Sequence, residues 1–260
     1  GPGRPLFEPL NNSGRISMLR GVVSFDDRDN RLFPTKGQFH SASVDFSSTA
    51  FGATENRAFQ RVRVFARFYH PVIWKKLIGR LQVRLGWLNP NSERLFAPSE
   101  NFILGGIQSI RGFPPLSIGP ERQAFPNPSG SLDPDPFSSD FVFIEGGNKE
   151  FLANLEFEFP IVESVGIRGV FFVDAGNVFG QDENFFYLDG QVRGSAFGPD
   201  DPRFFDYAGL PAGLFWSWGF GARWFSPIGP LRFEWGFPLT RRPLVDDQSP
   251  LFEFSIGNSF

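Results

Sequence analysis

The most pointed chemistry in this sequence sits in Leu104-Gly105-Gly106-Ile107-Gln108-Ser109-Ile110-Arg111-Gly112-Phe113, where one Arg stands among apolar and glycine residues. A guanidinium offers five donors, accepts nothing and stays charged, so burying it is expensive unless carboxylates meet it. The stretch opens a region rich in Pro, Gly, Ser and Asp that runs to about Asp140. So long a structureless segment inside a compact domain is expected only where it is functional. Arg111 then reads as the charge that pins a loop inside a wall of strands; the plainer reading is a surface Arg on a variable loop. Other chemistry is thinly represented. With no Cys and two His, disulfides and Cys-ligated metals are excluded and a His-rich zinc site is not supported. No Ser, His and Asp spacing identifies a triad. Asp133, Asp135 and Asp140 lack a complete EF-hand pattern and read as a solvated acidic loop. A net charge of -3 gives no nucleic-acid footprint. The sequence therefore predicts no enzyme, no catalytic residue, no cofactor, no metal and no nucleic-acid partner.

The elements that must hold such a loop are written in period two. Val62, Val64, Ala66 and Phe68 share one face, opposite Arg61, Arg63, Phe65 and Arg67. Leu81, Val83, Leu85 and Trp87 oppose Arg80, Gln82 and Arg84. The same alternation recurs over 148–159, 165–175, 212–225 and 230–237, and it is the strand signature. With weaker strands at 15–26 and 38–48 and a last one ending in Phe252, Phe254, Ile256 and Phe260, the pattern predicts about nine antiparallel strands. Links near 27–37, 71–77, 160–164 and 226–229 are short; those near 89–147 and 176–211 are long.

Two architectures use such strands. In a soluble sandwich the apolar faces meet in a core; in a membrane barrel they meet lipid and the charged faces line a lumen. Very large rings on the apolar faces, Trp216, Trp218, Trp224 and Trp235 among them, favour the membrane. So do opposite charges on the polar faces, as at Arg168, Asp174, Arg232 and Glu234, and the alternation of short turns with long loops. No run of roughly 18 apolar residues predicts a transmembrane helix. Hydrocarbon cannot hydrate an open sheet edge, and a single-chain bacterial barrel normally has an even strand number. Nine strands break that rule, so further strands are expected upstream of Gly1, which also fits the absence of an export signal.

At this point the residues resemble those of the family of BamA, the outer-membrane protein assembly factor (bacterial surface antigen family). The likeness rests on the turn Arg28-Asp29-Asn30-Arg31-Leu32-Phe33-Pro34-Thr35-Lys36-Gly37 and on Gly105-Gly106 followed by Ile110-Arg111-Gly112-Phe113. It rests also on Phe171-Phe172-Val173-Asp174-Ala175-Gly176-Asn177-Val178, on Ser226-Pro227-Ile228-Gly229-Pro230-Leu231 and on the final strand. Each motif is short; their order and spacing together are specific.

The resemblance implies an all-β fold. It would be an antiparallel transmembrane β-barrel domain over residues 1–260, the C-terminal nine strands of a sixteen-stranded barrel, with N-terminal strands and POTRA domains absent. A long loop over 104–145 would dock in the lumen. It implies docking by Arg111, Gly112 and Phe113 against Glu156, Phe172 and Asp174. It implies a lateral-seam strand carrying Phe252, Phe254, Ile256, Gly257 and Phe260. The expected activity is insertion and folding of β-barrel proteins in the bacterial outer membrane, without ATP. The expected partners are unfolded outer-membrane proteins, outer-membrane lipids and lipopolysaccharide, and accessory assembly lipoproteins. Lys36 and the rim near Asp29 are candidate contacts for POTRA domains. Polypeptide export, as in two-partner secretion transporters, a passive porin and a soluble carbohydrate-binding sandwich stand as alternatives.

Overall fold

A computed structural model describes residues 14–31, 33–73, 76–91, 98–123, 142–195, 197–226, 229–242 and 250–257. Four strands open the chain: β1 (Met18–Asp26), β2 (Gly37–Ser47), β3 (Phe59–Ile73) and β4 (Leu77–Pro90). A short pair, β5 (Glu121–Gln123) and β6 (Val142–Ile144), lies within the long loop. Five more strands follow: β7 (Lys149–Val162), β8 (Ile167–Phe179), β9 (Phe215–Ser226), β10 (Gly229–Pro238) and β11 (Leu251–Ile256). The long strands form one nine-stranded sheet in the order β1-β2-β3-β4-β7-β8-β9-β10-β11. Every neighbour in it is antiparallel.

The expected closed barrel, nine strands of a sixteen-stranded whole, is not what forms. Among the described residues the sheet is open, with β1 and β11 as its two edges. The physical reason for the error is that alternation specifies two unlike faces. An open sheet satisfies that pattern as well as a closed one, and closure depends on whether the end strands pair. No helix among the described residues is long and apolar enough to cross a membrane, which says nothing about strands.

Two prolines expected in turns lie inside strands. Pro71 belongs to β3 and Pro160 to β7. Both stand at register shifts, Pro71/Ile73 against β4 and Pro160/Val162 against β8. A bulge locally interrupts the ladder, so the missing amide proton of Pro costs little there.

The two faces of the sheet differ sharply. On the apolar face, rings run across neighbouring strands: Phe171 and Trp218 with centroids 6.0 Å apart, Trp218 and Phe237 4.7 Å, Trp235 and Phe252 5.0 Å. Many of these side chains stay exposed, Phe220 and Phe252 by nearly half. The opposite face is covered by the loops. Phe102, Leu104, Ile110, Phe113 and Ile118 pack there on Phe59, Leu88, Leu152, Val178 and Phe215, with Tyr207 and Leu210 from the loop after β8. That core positions the site, since it holds the loop by contacts independent of charge.

Candidate functional site

The loop reaches the sheet as a sequence of anchored steps. Phe102 bridges to Gly147 and Leu104 to Ile118, so the chain leaves and returns beside itself. Gly106 N–H donates to the Phe113 carbonyl at 2.9 Å and Ser109 N–H to the Gly106 carbonyl at 2.9 Å, closing a tight turn around residues 106–113. Arg111 projects from that turn onto the polar face and is 2 % exposed.

Three strands supply its acceptors. Asp174 of β8 takes the Arg111 Nε at 2.7 Å, an Nη at 2.7 Å and the Arg111 backbone N–H at 3.0 Å. Glu156 of β7 takes the other Nη at 2.5 Å, and Glu234 of β10 takes it at 3.1 Å. The guanidinium carbon lies 3.5 Å from the Phe172 ring centroid, so a π face covers the plane of the fork. Burial alone would lower the Arg111 pKa, but the charges of Asp174, Glu156 and Glu234 outweigh it and raise it well above the usual value.

The carboxylates are shared. Arg223 of β9 contacts Glu156 at 2.8 Å, Glu234 at 3.0 Å and Glu158 at 3.1 Å. Arg232 lies 2.8 Å from Glu234, and Arg168 lies 2.6 Å from Glu158. Asn154 completes the arrangement, donating to Asp174 Oδ1 at 2.8 Å and to the Ser109 carbonyl at 2.7 Å. Low dielectric strengthens such contacts and makes any orphan costly.

Glycines let the loop come this close. Gly112 has φ +85, and a Cβ there would lie 2.8 Å from the Gly236 carbonyl carbon. A Cβ on Gly236 would lie 2.3 Å from the Gly112 nitrogen. Phe113, fully buried, meets Phe215 edge-on at 5.6 Å. Glu253 on β11 stands next to Glu234 in the register, its Oε2 buried without a hydrogen-bond partner among the described residues.

The structure thus brings Arg111, Gly112, Phe113, Glu156, Phe172 and Asp174 together. It places Phe252, Phe254 and Ile256 on the apolar face of edge strand β11, apart from them, with Gly257 after that strand at φ +100. Phe260 lies outside the described residues, as do Asp133, Asp135 and Asp140. Sequence reasoning put Glu234 on a polar face without assigning it to the site, and it gave Asn154, Arg223, Gly236 and Glu253 no role. Their signal was the same alternation; what was lacking was the register, which sets Glu234 opposite both Gly221 and Glu253. At the other end of the molecule, Asp29 between β1 and β2 accepts from the Thr35 hydroxyl at 2.5 Å. Backbone N–H groups of Asn30, Thr35 and Lys36 also donate to it. Partial burial would raise its pKa, but these bonds, led by the hydroxyl, bring it down to about 2.

Among the described residues no group of three or more His, Cys, Asp or Glu could hold a metal ion. The polar face is ion-paired and carries a docked loop, while the apolar face is open and ringed. Together they define a β-sheet wall that binds a segment of its own chain.

Comparison with known proteins gives that wall a family. The model of the Omp85 superfamily domain matches residues 11–260, and the chain belongs to the Omp85 superfamily. It is 28% identical over 236 residues to the outer membrane protein assembly factor BamA of Nitratidesulfovibrio vulgaris, covering 90% of this chain and 24% of that protein. It is 28% identical over 258 residues to BamA of Neisseria meningitidis, covering 94% of this chain and 29% of that one. The chain therefore spans about a quarter of the length of these relatives. The crystal structure of BamA from Haemophilus ducreyi lacking POTRA domains 1-3 superposes with a TM-score of 0.65 at 22% identity. That superposition covers 91% of this chain and 41% of the other, and supports the fold.

Proposed function

We propose that this chain takes part in outer-membrane protein biogenesis, as its relatives' names state for them. In this reading the protein lies in the bacterial outer membrane, its apolar face meeting lipids and lipopolysaccharide. Unfolded outer-membrane proteins are its substrates, assisted by accessory lipoproteins, and they insert and fold without ATP. The lateral seam is strand β11, whose unpaired backbone groups can accept an incoming strand by β-augmentation.

One observation carries the reading. The docked turn touches β7, β8 and β10 through Arg111, and its Gly112 lies against Gly236 of β10, which pairs with Leu251 of β11. The loop therefore ties the centre of the sheet to the neighbour of the edge strand that would receive substrate, and Arg111, Gly112 and Phe113 are the docking residues. The test is substrate folding by the full-length protein in lipid vesicles, comparing Arg111→Glu, Asp174→Arg and the double exchange. Each single reversal should slow folding and the double should recover part of it. Unchanged rates in both single variants would remove the docked loop from the mechanism.

A further inference from the structure

Beside the docked turn lies a cavity of about 70 Å³, lined by the loop and by β3, β4, β7, β9 and β10, whose charge is not balanced. Five guanidiniums line it: Arg67, Arg80, Arg111, Arg223 and Arg232. Four of them share four carboxylates, Glu156, Glu158, Asp174 and Glu234. Arg67 has no ion-pair partner among the described residues. Its Nε donates to the Gln82 amide oxygen at 2.8 Å, and its guanidinium lies 4.6 Å from the Phe65 ring centroid. Arg168 adds one further positive charge on Glu158, and Glu253, beside Glu234 with its Oε2 buried and unpartnered, does not fully offset it, so the cluster stays cationic.

The amides around Arg67 are all committed in one direction. Gln82 accepts from Arg67 and donates to Asn154 at 3.0 Å, and Asn154 donates to Asp174 at 2.8 Å. This relay passes hydrogen bonds from the unpaired cation toward the paired one and brings no negative charge to Arg67. A guanidinium left without a carboxylate next to a cavity is a recognition element for an oxyanion, which it meets as a two-point fork. The lining also includes Tyr69 and Ile107, so the cavity offers apolar surface beside the charge.

We infer that this cavity binds an organic monocarboxylate, with Arg67 as the principal cation and Gln108 of the loop at its mouth. The mixed lining, with Tyr69, Leu81 and Ile107 beside the cation, suits a carboxylate on a short carbon chain better than a strongly hydrated phosphate dianion. The site does not depend on the assembly reading and can exist whether or not that reading holds.

The experiment is calorimetric titration of sodium butyrate into the full-length protein in detergent, at ionic strength held constant with sodium chloride. Saturable one-site binding is expected in the wild type. Arg67→Gln should weaken it at least about tenfold, and Arg67→Lys, which keeps the charge and loses the fork, by less. Gln108→Ala, which leaves the sheet untouched, should weaken it modestly and serves if the Arg67 variants do not fold. Competition by a short Glu-containing peptide would identify a polypeptide side chain as the source of the carboxylate; binding of butyrate alone would identify a free acid, and either result supports the site. Failure to saturate in the wild type, or equal affinity in every variant, overturns the site. Tighter binding of inorganic phosphate than of butyrate overturns the carboxylate assignment.

Discussion

Replacing Arg111 by Met tests how the loop is held, and the structure sets the scale. The substitution keeps the aliphatic stem near Phe172 and deletes every charged contact. Glu234 retains Arg223 and Arg232, and Glu156 retains Arg223. Asp174 is the group left stranded: it is fully buried, and among the described residues Arg111 is its ion-pair partner. Asn154 and the backbone N–H at position 111 would still donate to it. Removing one partner of a buried pair costs roughly 3–5 kcal/mol, which is roughly a hundred- to several-thousand-fold in the ratio of docked to undocked loop. Burial of Ile110 and Phe113, both fully buried in the same turn, opposes undocking by about 3–6 kcal/mol together, the same order as the charge effect, so the substitution should loosen the turn by that ratio and leave its apolar contacts in place. Asp174→Asn should cost less, about 1.5–3 kcal/mol, because Arg111 keeps Glu156 and Glu234. In the double variant no stranded carboxylate remains, and the cost should fall well below the sum. The assay is amide hydrogen exchange over residues 107–113 in the full-length protein. Protection in Arg111→Met within about threefold of wild type would refute the reasoning. So would an Asp174→Asn loss as large as that of Arg111→Met.

Gly236→Ala leaves all charges in place but puts a methyl 2.3 Å from the Gly112 nitrogen; exchange at Gly112 should rise while the β9–β10 ladder stays protected, and an unchanged loop would show that the close approach does not matter. In the turn between β1 and β2, the depressed Asp29 carboxyl sets an acid limit. Its folded pKa of about 2 lies below the unfolded value near 3.9, so its contribution is full above about pH 4 and is lost as pH falls toward 2. Amide exchange at Thr35 and Lys36 should increase across that window, and Asp29→Asn should abolish the pH dependence. On the apolar face, Trp218→Arg should cost roughly 2–4 kcal/mol in lipid, where Trp218→Leu costs much less; equal unfolding midpoints for the two would show that this face does not meet hydrocarbon.

What the sequence made legible was which residues share a face. Period two separates Glu156 and Asp174 from Phe157 and Val173 without any knowledge of neighbours. It does not reveal which positions on different strands stand side by side. Arg223 and Glu234 lie about seventy or more residues beyond Glu156 in the chain, and they meet it only through two and three successive strand pairings. The bulges at Pro71 and Pro160 were hidden for a related reason, since proline reads locally as a terminator and only the partner strand shows that the ladder resumes. The open sheet was illegible because edge strands β1 and β11 carry the same local patterning whether or not another strand lies beside them.

What the charge cluster adds to the apolar core that also holds this loop follows from what each can specify. Apolar burial is non-directional, and the core beneath Phe113 would tolerate small slides of the turn along the sheet. A guanidinium on Asp174, Glu156 and Glu234 tolerates none, because its donors leave in fixed directions toward three strands. Such a cluster adds little net stability, since desolvation offsets much of the attraction. Its yield is position: Arg111 fixes Gly112 above Gly236 on β10, the strand that pairs with the edge strand β11. A displacement of β10 must then either break charged contacts or carry the loop with it. The loop and the strand beside the edge cannot move independently by more than the slack of those bonds.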